Sequence, residues 1–279
     1  MNASFTILEF IFKFMQTTHC SNCNHLLAEN YQFCPHCSQK KSIHRFTVGH
    51  LVHEFFHAFT HADKGILHLT KQLAIHPGQV LKEYIVEGKR KKYFNPFTFL
   101  LIVLGFTVIV NSYVHPFTQE MKPEMREAIK KLPPEQQRNA IKIAEKSRIV
   151  NEFFEKKSNW VTLLSTPVIS LVFWLIFRRR GLNYAEHLVA YVLMIGFLML
   201  LTTITLTPLM SLTKGSIYHY WIVVLNLLIQ LLYFAWGYKG FLNLNTPKEL
   251  LRVALAGFLG ILLWVIVSIS AVFIYFFLF

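Results

Sequence analysis

A chain of 279 residues, 53% of them hydrophobic and 26 of them phenylalanine, is too apolar for one or two ordinary water-soluble domains. Its formal net charge of +13 is gathered into clusters, and between them lie runs approaching the roughly 20 apolar residues that cross a hydrocarbon core. Composition therefore sets aside a soluble enzyme and points to an all-α polytopic membrane protein.

Residues 1–18 read as an N-terminal extension. Phe5 to Phe14 is apolar but short and carries Glu9 and Lys13, so it is not counted as a span. It also lacks the basic n-region and small-residue cleavage site of a signal peptide. Met15, just before the first module, is a candidate start of the chain.

Residues 19–39 hold all four cysteines, as Cys20-Ser-Asn-Cys23 and Cys34-Pro-His-Cys37. Two C-x2-C knuckles offer four thiolates, the set that tetrahedral zinc takes in a closed structural site. Disulfides or a redox pair are the rivals, but no βαβ pattern surrounds the cysteines and a cytoplasmic location disfavours disulfides. His25 and His36 are neighbours that could replace a thiolate, and read more simply as surface histidines. A ribbon this small buries no core, so metal binding supplies its folding energy. Few basic residues lie inside it, which argues against nucleic acid as its partner.

Residues 46–96 read as cytoplasmic amphipathic helices. From Phe46 to Leu69, His50, His53, Glu54, His57, His61, Lys64 and His68 project to one helical face, and Val52, Phe55, Phe59, Ala62 and Ile66 to the other. Such a helix, upstream of a span, suits the plane of a membrane surface. The stretch His53-Glu-Phe-Phe-His57 also has the H-E-x-x-H spacing of zinc peptidases, with His53 and His57 as ligands, His61 as a third and Glu54 as base. Three ligands in line on one helix do not converge readily on a tetrahedral ion. No glycine turn follows at the metzincin spacing, and no motif marks Glu83 or Glu87 as a distant ligand. The peptidase is therefore an alternative; the histidines could also sense pH near neutrality.

A short amphipathic helix with Val80, Leu81, Tyr84 and Ile85 leads into a junction of Lys89, Arg90, Lys91, Lys92, Tyr93 and Phe94. This set is expected at the membrane surface among anionic headgroups. Residues 97–279 then supply five spans: Phe97 to Val114, Trp160 to Phe177, Leu188 to Met210, about Tyr220 to Tyr238, and Val253 to Phe279. Lysine and arginine beside spans stay in the cytoplasm. An inside amino terminus puts the junction, Arg178 to Arg180, and the Lys239, Lys248, Arg252 loop on one side, and the carboxyl terminus outside. The outer loop, 115–159, carries ten basic residues against seven acids and fits that rule loosely. Two helices split by Leu132-Pro133-Pro134 are expected in it, the second with an apolar side of Ile141, Ile149, Phe153 and Phe154.

The spans carry no Asp, Glu, Lys or Arg away from their ends, which weakens ion-coupled transport. Asn226 with Gln230 and Ala256 with Gly260 read as helix packing devices. Thr202, Thr203, Thr205 and Thr207 read as hydroxyls bonding back to their own helix. Asn183 and Glu186 have the form of a capping box at the start of the third long helix.

The ribbon, "HEFFHAFTHADKG", "EGKRKKYFNPFTFL" and "NYAEHLV" together resemble an uncharacterised bacterial family known as a domain of unknown function. The resemblance implies a membrane location and a zinc ribbon, and no activity. A weaker likeness, of architecture alone, is to the five-span Yip-type trafficking proteins. The reading that follows is an inner-membrane scaffold, adaptor or sensor without catalysis, contacting the bilayer, anionic headgroups and a protein through its ribbon or outer loop. A metallopeptidase and a lipid or small-solute transporter stand as alternatives; the latter would need a polar path that the spans, read singly, do not reveal.

Overall fold

The computed structural model describes residues 18–41, 45–49, 65–117 and 123–278. Two short antiparallel strands, β1 (Thr18–His19) and β2 (Leu26–Leu27), pair Thr18 with Leu27 and His19 with Leu26. An isolated bridge between Phe33 and Lys40 closes the second half of the ribbon. Among the described residues, everything else regular is helical.

Helix α1 (Ile66–Ile75) breaks at His76, and Pro77 then opens α2 (Pro77–Leu81), which runs into a single π turn (Lys82–Val86). Proline suits this first position because its missing N–H has no helical partner there in any case. Of the apolar face of Val52, Phe55, Phe59, Ala62 and Ile66 only Ile66 is described, and it is half-buried; C-terminal to it Leu69, Leu73, Val80 and Leu81 are completely buried against protein. The physical reason is a backbone-to-backbone fit. A Cβ on Gly78 would stand 2.5 Å from the Gly240 Cα, so only glycine lets α2 lie this close to its neighbour. Tyr233 adds a hydrogen bond from its hydroxyl to the Leu73 carbonyl at 3.0 Å. Of the expected 46–96 interfacial unit, residues 65–96 are thus an integral layer of the bundle. His50, His53, Glu54, His57 and His61 lie outside the described residues.

Among the described residues, five helices are long and apolar enough to cross a membrane. They are α3 (Pro96–Val114), α5 (Pro134–Phe177), α6 (Tyr184–Leu212), α7 (Ile217–Leu242) and α8 (Pro247–Leu278), with the short α4 (Pro123–Lys130) between the first two. Asn95 caps α3 by accepting from the backbone N–H groups of Phe97 and Thr98 at 3.0 and 3.2 Å. The expected break at Leu132-Pro133-Pro134 separates α4 from α5. No break in the helix marks the expected boundary at residue 159. At 44 residues, α5 would measure about 66 Å, roughly twice the hydrocarbon thickness. The second helix of the outer loop and the second span are therefore one rod: Phe153 is buried and Phe154 packs on Trp264, ring centres 6.3 Å apart, which holds the rod on course. Ile141 remains exposed, so the apolar side is covered only near the span.

Rings concentrate toward the ribbon end of the bundle. Phe173 lies 4.7 Å from Tyr238 and 5.4 Å from Phe234, and Tyr191 stacks on Phe234 at 5.3 Å. Small residues bring α8 in: a Cβ on Gly260 would meet the Ile169 side chain of α5, and one on Gly257 the Leu231 side chain of α7, each at 2.8 Å. This is the close approach that small residues permit between membrane helices.

Candidate functional site

The two knuckles repeat one backbone pattern. Cys20 donates its N–H to the His25 carbonyl at 2.9 Å while Asn24 donates to the Cys20 carbonyl at 2.8 Å; Cys34 donates to Gln39 and Ser38 to Cys34, both at 2.8 Å. Asn24 and Ser38 accordingly take positive φ of 59° and 58°, the left-handed turn that aims both sulfurs of each knuckle inward. All four sulfurs lie within 4.8 Å of one another. Cys20 and Cys37 are 3.5 Å apart, and Cys23 and Cys34 3.6 Å. A regular tetrahedron with bonds of ~2.3 Å has edges of ~3.8 Å, so the set fits a tetrahedral metal.

The thiols perturb one another as such a set must. At Cys23 the backbone hydrogen bond with His25 favours the thiolate, but burial and the three neighbouring sulfurs outweigh it and push the thiol up to about 12. At Cys37 burial works against ionisation, yet the Gln39 backbone and the neighbouring sulfur groups bring it down to about 7. Four crowded sulfurs cannot all ionise without a cation, and a thiolate-binding metal supplies one. His25 and His36 stack on each other at 5.7 Å and are exposed. Among the described residues, the four cysteines are the only group arranged to hold a metal.

The ribbon is not a free tether. The Gln39 side chain is buried and accepts from the Lys91 backbone at 3.1 Å. Arg45 spans Glu186 with two hydrogen bonds of 2.8 and 2.7 Å and reaches the Gly181 carbonyl at 2.9 Å. Asn183 donates from its side chain to the Phe46 carbonyl at 3.0 Å. Phe46, almost fully buried, lies under the Arg90 guanidinium at 3.7 Å and stacks on Tyr84. Glu186 also completes the expected capping box: it receives the Asn183 N–H at 2.8 Å while its own N–H meets the Asn183 side chain at 2.9 Å.

The basic junction differs from expectation for a related reason. The buried Glu83 carboxylate takes Lys92 at 2.6 Å, the Tyr93 hydroxyl at 2.7 Å and the Gln79 amide at 3.1 Å, with Lys89 at 3.5 Å. Burial opposes its charge, but these donors and the Lys92 charge outweigh that and hold the carboxyl down at about 2. Lys89 is raised, first by its hydrogen bond to Glu87. Tyr93 and Phe94 are buried in protein; of the six junction residues, Lys91 and Lys92 remain exposed. Neither Glu83 nor Glu87 stands free as a distant metal ligand. His68, the described end of the histidine stripe, stacks on Tyr93 at 5.8 Å.

Three further features arise from packing, though His187, Asn226, Gln230, Thr202 and Thr203 each stand out in the sequence taken singly. His187 is fully buried, 3.3 Å from the Tyr238 hydroxyl through Nδ1, with its Nε2 unpartnered among the described residues. Glu155 is buried beside His115 at 3.1 Å and accepts from the Phe117 backbone at 3.0 Å. A cavity of about 320 Å³ lies between the spans, reaching from the ring layer of Phe173, Tyr191 and Phe234 toward Thr207 and Met210. Thr107, Asn111, Thr202, Thr203, Asn226 and Gln230 converge on it from three different helices.

No curated protein and no solved structure matches the chain. A family model described as "Protein of unknown function (DUF3667)" matches residues 63–108. The matched stretch covers α1, α2, the Glu83 cluster and the first part of α3, including "EGKRKKYFNPFTFL"; the ribbon and "NYAEHLV" lie outside it. In that segment the chain is similar to an uncharacterised family, in keeping with the resemblance drawn from its motifs.

Proposed function

We propose that the protein is a non-catalytic adaptor of the bacterial inner membrane, with zinc in the four-cysteine site and the ribbon on the cytoplasmic side. The observation that carries this reading is the clamp between Arg45 and Glu186. A flexible tether would serve a module that searches; two charge-assisted hydrogen bonds at the base of the ribbon serve one that presents a fixed face. That face has something to present. Leu26, Tyr31 and Phe33 are large apolar side chains left exposed on a very small module, a composition that suits contact with a partner protein. Zinc fits the donor set because soft thiolates in a tetrahedron select it over hard cations. Cytoplasmic placement is supported by charge: Arg178 to Arg180, Lys239, Lys248 and Arg252 flank the spans at the ribbon end, and Arg180, just past the end of α5, pairs with Glu249 in the first turn of α8.

A photoreactive amino acid at Tyr31 or Phe33 in the living cell tests the adaptor reading, with the same group at Ile143 on α5 as the comparison. A discrete protein adduct from the ribbon positions, lost when Arg45 and Glu186 are both changed to Ala, is the expected result. Adducts to lipid only, or an adduct confined to Ile143, would overturn it.

A further inference from the structure

Hydroxyls along a membrane helix are ordinarily satisfied by their own backbone, and several here are: Thr107 donates to the Val103 carbonyl at 2.9 Å and Thr205 to that of Leu201 at 2.7 Å. The amides around the cavity are different. Thr202 donates to the Asn226 side-chain oxygen at 3.1 Å, which leaves the Asn226 NH2 group without a protein partner among the described residues. Asn111 and Gln230 have no side-chain hydrogen bond to any described residue, although Asn111 is buried. A side-chain amide carries two N–H donors and a carbonyl acceptor, and a buried one left unmade costs about 1–3 kcal/mol. Asn111 on α3 is buried, and Asn226 and Gln230 on α7 are half-buried; together they turn unpaired amide groups to one cavity, which makes them poor packing devices and good ligand contacts.

The wall chemistry narrows the ligand. None of the residues lining the cavity is charged, and most of the lining is apolar, with Phe173, Tyr191, Phe234 and Trp264 contributing rings. An ionised headgroup would lose its hydration there and find no opposite charge. A purely apolar molecule would leave the amides unpaired. At about 320 Å³ the space is roughly twice that of an engineered cavity that takes benzene, enough for a small polar head and the first part of a chain. One flank is open: on α7, Val223 and Leu227 line the cavity and are themselves exposed, as are their neighbours Val224 and Leu228.

We infer that this cavity is a binding site for an uncharged, oxygen-bearing lipid of the acylglycerol class, taken from the surrounding bilayer. Its hydroxyl and ester oxygens accept from Asn111, Asn226 and Gln230, and its chain lies against the rings. The site is independent of the adaptor reading: it uses none of the ribbon's residues and neither Arg45 nor Glu186.

The test uses the full chain in lipid nanodiscs with a monoacylglycerol carrying a diazirine in its chain. Photolabelling is expected on α5, α6 and α7, saturable, displaced by excess unlabelled monoacylglycerol and not by lysophosphatidylglycerol of the same chain length. Changing Asn226 and Gln230 together to Leu is expected to weaken labelling at least about fivefold, the loss of one hydrogen bond of about 1 kcal/mol. The wild-type competition does not depend on that variant folding. Labelling that does not saturate, or that the charged lysolipid displaces equally well, overturns the proposal; so does the absence of labelling in these helices, which would leave the cavity to water.

Discussion

Arg45 and Glu186, 141 residues apart in sequence, meet through Nε to Oε1 at 2.8 Å and Nη2 to Oε2 at 2.7 Å. The two ends of the contact are unlike: the Arg45 side chain is 62% exposed and that of Glu186 only 4%. Glu186 serves two masters, the guanidinium and the start of α6, so the bridge fixes the ribbon to the same point that nucleates a long helix.

Unequal burial predicts unequal mutants. Arg45→Ala removes a largely solvated partner and is expected to cost under about 1 kcal/mol. Glu186→Ala removes the capping box as well and is expected to cost about 1–3 kcal/mol. Both variants should release the segment around Phe46, read as faster amide exchange at residues 45–49, while only Glu186→Ala lowers the thermal midpoint of the membrane domain. Equal midpoints would show that Glu186 acts on the ribbon alone.

The glycines of α2 and α3 are predicted to respond in opposite ways. A Cβ on Gly78 would collide with the Gly240 Cα at 2.5 Å, a contact with backbone that no rotamer relieves, whereas one on Gly105 meets nothing within 4 Å. Gly78→Ala should destabilise by about 1–3 kcal/mol through enforced separation of α2 from α7. Gly105→Ala, at an exposed position in the middle of α3, should be neutral or stabilising by up to about 1 kcal/mol. Melting of the purified variants by size-exclusion retention reads both.

The spans were legible because each is apolar around its whole circumference over a run close to the length that crosses a hydrocarbon core, a property of the local sequence alone. The ribbon was legible for a similar reason: its four cysteines and their spacing are local, and so is the Asn183–Glu186 capping box. The continuity of α5 was not, because nothing polar enough to interrupt a helix stands between Lys156 and Trp160, and a change of surroundings from water to lipid does not itself break a rod. The Glu83 cluster hid behind a familiar pattern. Four cations and two aromatics before a span read as a headgroup anchor until one carboxylate, six residues before the first of them, proves to be buried and to draw in two of the cations and one ring. The cavity amides Asn111, Asn226 and Gln230 lie on helices separated by a hundred residues, and only packing reveals that they face one space.

Acid should unfasten the Glu83 cluster. Its carboxyl is held at about 2 against an ordinary 4.5, so the folded state keeps the charge that the unfolded chain gives up first. The stabilisation is full above about pH 4.5 and drains away as the pH falls toward about 2. Glu83→Gln should be less stable than the wild type at neutral pH, and its stability should change less across that acid window. Identical acid limbs for the two proteins would mean that Lys92, Tyr93 and Lys89 contribute nothing through this carboxylate.

Metal content separates the ribbon from the histidine stripe. The sulfur spacings of 3.5 and 3.6 Å suit a single tetrahedral ion, and a ribbon with so small a core should fold only around it. Purified protein is expected to carry one zinc per chain, and changing His53 and His57 together to Ala should leave that number unchanged. Cys34→Ser should lower it and abolish amide protection in residues 18–41, while α6, which owes its stability to burial in the bundle, keeps its own. Two zinc ions per chain, falling to one in the double histidine variant, would instead establish His53 and His57 as ligands of a second site. Glu54 would then stand beside a metal with an activated water within its reach, and Glu54→Gln would become the decisive variant for peptide hydrolysis.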